Sequence, residues 1–116
     1  MYKFDINVSK KLLEVTVEGF FTPEEAGAYL NEFQQTIKKI TPSGYSLFVN
    51  GSGQKVVTAN LFDELQQAVD FYLSGGFKKV IVALPNSATA GMQIKRLNGF
   101  DKIEIVKTPA EAHALV

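Results

Sequence analysis

The chain has 116 residues, 46% hydrophobic and 21% charged, which is ordinary globular usage and enough length to bury one core without staples. Twelve basic and twelve acidic residues cancel, and a balanced chain lacks the surplus Lys and Arg that a nucleic-acid partner demands. With no cysteine and one histidine it can build no disulfide or thiolate metal site, so no metal and no other cofactor is expected.

The start, Met1-Tyr2-Lys3-Phe4-Asp5, has neither the basic segment nor the apolar run of a signal peptide. No run approaches the roughly 18 apolar residues of a membrane span. A soluble, cytoplasmic protein is the simplest expectation.

Phe4, Ile6 and Val8 alternate with Lys3, Asp5 and Asn7. Leu13, Val15 and Val17 alternate with Glu14, Thr16 and Glu18. Period-2 alternation predicts two half-buried strands, and the short link at Ser9-Lys10 predicts an antiparallel hairpin. After Gly19-Phe20-Phe21, the run Thr22-Pro23-Glu24-Glu25 has the pattern of a helix start: a capping Thr, Pro at the first helical position, and Glu25 to complete a capping box. Ala26, Leu30, Phe33, Ile37 and Ile40 make one apolar stripe, and Thr41-Pro42-Ser43-Gly44 stops the helix.

Tyr45 to Asn50 follows as a strand whose consecutive Leu47, Phe48 and Val49 predict cover on both faces. Gly51-Ser52-Gly53-Gln54-Lys55 reads as a polar loop, and Val56 to Leu61 as the start of a helix capped by Thr58. Leu61, Leu65, Ala68, Val69, Tyr72 and Leu73 form its stripe, and Gly75-Gly76 ends it. Lys79 to Leu84 is a further buried strand. Pro85-Asn86-Ser87 is a turn or cap before a weaker helix from about Ala88 to Leu97. Ile103 to Val106 is the last strand, and Thr108-Pro109-Ala110-Glu111 opens the last helix with the same pattern as Thr22.

The order β-β-α-β-α-β-α-β-α predicts a single α/β domain: a five-stranded, mixed, mostly parallel sheet with four helices. Crossovers that all step the same way would put the helices on one face. Glu14, Thr16, Glu18 and Glu104 would then lie on a more open one.

This order resembles the STAS domain, the fold of bacterial SpoIIAA-like anti-sigma-factor antagonists. Ile94-Lys95-Arg96-Leu97, Gly99-Phe100, Lys102-Ile103 and Glu111-Ala112 follow the family's pattern at the C-terminal end. The resemblance implies a small non-enzymatic regulatory module that docks a protein partner through the loop before the second helix. In signalling members an Asp-Ser pair opens that helix and the Ser accepts phosphate. Here Asn50 takes the strand-end place and Thr58-Ala59 the Asp-Ser place, so the resemblance implies a module without the phosphorylation switch. The closer resemblance is to the STAS-like group related to Sec14-type lipid-binding folds.

Candidate binding residues cluster where the strands of an open parallel sheet end: Asn50, Gly51, Ser52, Gly53, Lys55, Thr58, Asn60, Asn86 and Ser87. Gly51-Ser52-Gly53 could offer backbone N–H groups to an anion beside Lys55. A lone Gly-x-Gly is equally compatible with an ordinary strand-to-helix loop. No catalytic set can be assembled, because His113 lies on the terminal helix, far from Ser52. Two classes of function follow. A protein-docking module calls for exposed polar and small residues from Asn50 to Asn60. A small-ligand or lipid binder calls for a large apolar cavity under the second and third helices.

Overall fold

The computed structural model describes residues 1–55 and 58–116. β1 (Tyr2–Asn7) and β2 (Leu12–Gly19) form the antiparallel hairpin, in register from Tyr2 opposite Val17 to Asn7 opposite Leu12. Val8, expected on the first strand, lies instead in the turn and is exposed. Asn7 diverts it: its Oδ1 accepts from the Lys10 N–H at 3.0 Å and the Ser9 hydroxyl at 2.9 Å. A side chain that bonds its own following backbone competes with the strand ladder.

α1 (Pro23–Ile37) starts as its sequence predicts, with Thr22 Oγ1 accepting from the Glu25 N–H at 3.1 Å. The return bond of a capping box is replaced by an ion pair, Glu25 Oε2 lying 2.8 Å from the Met1 ammonium. Ile40 falls beyond the helix but still packs, partly buried, against the core.

β3 (Ser46–Gln54) is the middle strand of five, in the order β1-β2-β3-β4-β5, and is parallel to both neighbours. It is longer than its sequence suggests, because the stretch read as a polar loop continues the strand to Gln54. A bulge in β3 keeps the ladder going: Gly51 and Ser52 together lie opposite Val17, so that Gly53 and Gln54 pair with Glu18 and Gly19. Gly51 fits because it lacks a Cβ, which would sit 3.1 Å from the Ala83 carbonyl oxygen of the next strand.

A 3-10 turn (Ala59–Leu61) leads into α2 (Phe62–Ser74). The expected helical start at Val56 and Val57 lies outside the described residues. β4 (Lys79–Ala83), α3 (Ala88–Lys95), β5 (Glu104–Val106) and α4 (Pro109–Ala114) complete the described elements: five strands in one mixed sheet and four helices.

The crossover helices α1, α2 and α3 lie on one face of the sheet. Their Phe33, Val69, Tyr72 and Ile94 share a core with Leu13, Val15, Leu47, Val49 and Val82. α4 lies on the other face, contrary to the expectation that all helices share one. It follows β5 and connects no two strands among the described residues, so the handedness of βαβ units does not constrain it here. Its Ala112 packs with Leu12, Phe48, Ile81, Ala83 and Val106. This explains the two-sided cover of β3: Leu47 and Val49 meet the helix layer, and Phe48 meets α4.

α4 also covers part of the face expected to be open. His113 Nε2 lies 2.7 Å from Glu14 Oε1, leaving Glu14 and Thr16 half-buried while Glu18 and Glu104 stay exposed. No helix among the described residues is long and apolar enough to cross a membrane.

Two threonines that look alike in sequence should respond differently to truncation. Thr22→Ala removes a cap bond and should cost about 1 kcal/mol. Thr58→Ala should change stability by less than about 0.5 kcal/mol, because the Thr58 side chain makes no cap bond and the bond to the following turn, from the Leu61 N–H at 3.0 Å, goes to its backbone carbonyl, which Ala keeps. Parallel urea titrations of the two variants would distinguish them.

Candidate functional site

The sheet and the helix layer do not close completely on each other. A cavity of about 160 Å3 lies between them at the carboxyl ends of β2, β3 and β4. Val17, Val49, Gly51 and Val82 line it from the sheet, and Tyr29 and Leu30 from α1. α2 contributes Leu65, Ala68 and Tyr72, while Ile94, Leu97 and Phe100 line it from α3 and the turn that follows. The missing Cβ of Gly51 serves here a second time, since it leaves that part of the lining bare.

Three polar side chains of the lining belong to α1 and α2. The hydroxyls of Tyr29 and Tyr72 are hydrogen-bonded to each other, and both residues are buried. Burial holds both phenols neutral, pushing Tyr72 up to about 12 and Tyr29 well above its usual value. For Tyr29 the neighbouring Tyr72 adds to that rise, because a phenolate formed first would accept its hydrogen bond. The third is Glu64, in the first turn of α2, whose Oε2 is buried with no hydrogen-bond partner among the described residues. Lys55 and Thr58 also belong to the lining, and the Lys55 backbone is fastened by its N–H to the Gly19 carbonyl at 3.0 Å.

The residues singled out from sequence separate into groups. Gly51, Lys55 and Thr58 line the cavity. Asn50, Ser52 and Asn86 form a local network: Asn50 Oδ1 accepts from the Ser52 hydroxyl at 2.8 Å and its N–H at 3.2 Å, and the Asn86 N–H donates to the Ser52 carbonyl at 3.2 Å. Gly53 lies in the ladder against Glu18. With Gly51 to Gly53 in a strand, the stretch is not the loop-borne cradle of amides considered for an anion. Ser87 caps α3, accepting from the Ala90 N–H at 3.3 Å. Thr58 does not cap as expected; its hydroxyl donates to Asn60 Oδ1, and both are exposed.

Sequence reasoning assigned most of the lining to the core. The overlooked signal is positional: Glu64 falls three residues after Leu61 and four before Ala68, on the apolar stripe of α2. A carboxylate on a stripe calls for an explanation that a solvated face does not supply. Among the described residues no group of three His, Cys, Asp or Glu could hold a metal ion. No family model matches this chain, and no curated protein matches it.

Proposed function

We propose that this chain is a non-catalytic binding domain that takes a small apolar molecule between its helix layer and its sheet. The observation that carries this reading is the apolar cavity of about 160 Å3 at the strand ends. Protein interiors are close-packed, and voids larger than a water are few. Apolar side chains lining such a space lack packing partners on one side, and an occupant of the right shape restores those contacts. Apolar cavities of roughly 150 Å3 take up a benzene ring. The likeness to the STAS-like group related to Sec14-type folds points the same way.

Toluene is a suitable first probe. Saturating toluene should raise the melting temperature and shift the amide resonances of residues around Val49, Ala68 and Ile94. Ala68→Phe fills the space with its own ring and should abolish both effects while the domain stays folded. A wild-type protein indifferent to toluene in both measurements overturns the proposal.

Exposed Thr58, Ala59 and Asn60 favour a second reading, a protein partner docked at the turn before α2. Ala59 has no hydroxyl, so such docking would run without a phosphorylation switch. Asn60→Asp and Asn60→Lys should then weaken partner capture with no change in melting temperature.

A further inference from the structure

Resting on the binding reading above, the polar atoms of the cavity say what kind of molecule fits it. The two phenols answer each other and leave no demand on an occupant, and Lys55 and Thr58, on the same lining, are exposed to water. Glu64 does make one. Its Oε2 is withdrawn from water and has no donor among the described residues. An acceptor oxygen buried without a partner costs free energy, although Glu64 as a whole is only half-buried. The first turn of α2 supports negative charge there, since helix amides point their positive ends toward it. A neutral donor would satisfy the bond and leave the charge. An ammonium satisfies both, in a charge-assisted bond about twice as strong.

We propose that the cavity binds a primary amine carried on a single ring or a body of similar bulk, the ring lying among Leu30, Ala68 and Val82 and the ammonium donating to Glu64 Oε2. The volume limits the body to about one ring, by comparison with cavities that hold benzene.

Three probes of one shape test this: 2-phenylethylamine, ethylbenzene and 3-phenylpropionate, each titrated at neutral pH and followed by amide resonances. The amine is expected to bind at least tenfold more tightly than ethylbenzene, and the carboxylate most weakly. Glu64→Gln keeps the shape and removes the charge. It should weaken the amine at least tenfold and leave ethylbenzene unchanged. An amine no tighter than ethylbenzene in the wild-type protein overturns the amine assignment and leaves the apolar cavity standing, as does an amine affinity untouched by Glu64→Gln. Failure of both ethylbenzene and the amine to bind overturns the cavity reading itself.

Discussion

Phe33→Ala is expected to lose about 3–5 kcal/mol of stability, a large share of the 5–15 kcal/mol that holds a domain folded. The Phe33 side chain is 0% exposed. Its ring centre lies 5.3 Å from Tyr72, 6.3 Å from Phe4 and Phe77, 6.4 Å from Phe71 and 6.5 Å from Tyr29. One ring thus ties α1 to β1, to α2 and to the segment leading into β4. No neighbour can swing in to fill the space without giving up its own contacts. Leu65 makes the contrast. It sits on the same kind of stripe, but it is only partly buried and lines the cavity, so truncating it enlarges a space already there. Leu65→Ala should cost less than about 2 kcal/mol. Urea midpoints at equal slope would give both values, and a Phe33→Ala loss below about 1 kcal/mol would contradict this account of the core.

The second large effect is alkaline. Tyr29 and Tyr72 are neutral in the fold, and burial holds their proton release above the ordinary value near 10. In the unfolded chain both phenols ionise near pH 10. Their contribution is therefore complete below pH 10 and is lost as pH rises from 10 through about 12, where Tyr72 titrates in the fold. A rise from 10 to about 12 corresponds to roughly 3 kcal/mol from Tyr72 alone, and Tyr29 adds to it. Thermal melts at half-unit steps should show a steep fall in melting temperature above pH 10. In the Tyr29→Phe/Tyr72→Phe double variant the fall should be much shallower. Equal slopes in the two proteins would refute the assignment.

The general architecture was legible because each element carried its own periodicity and punctuation. Alternation named the hairpin. Thr-Pro-x-Glu marked the starts of α1 and α4, and Thr22 and Thr108 do cap them. What sequence misjudged shares one physical cause: residues with two uses. Gly51-Ser52-Gly53 has turn composition, but Gly51 is there for the close approach of the Ala83 carbonyl, and one extra residue bulged into β3 keeps the rest in the sheet. Thr58 has a capping side chain, and the Asn60 amide takes its hydroxyl instead. Asn7 looks like one more outward strand position and in fact folds the turn. The cavity stayed hidden because an apolar stripe reads the same whether it meets a packed core or a space. Glu64, Tyr29 and Tyr72, polar groups on inward positions, are the residues that could have marked the difference.

The strand order β1-β2-β3-β4-β5 repeats the chain order. Every strand pairs only with its neighbours in sequence, through one hairpin and three single-helix excursions. No pairing waits for a distant segment to arrive, so the loop entropy of each closure is that of one short excursion. Each of the three parallel pairings still closes over a whole helix, so these steps are slower than closure of the hairpin. The nascent sheet can grow outward one strand at a time from any adjacent pair. The short β5 and α4, at one end of that series, can dock last on a surface already formed.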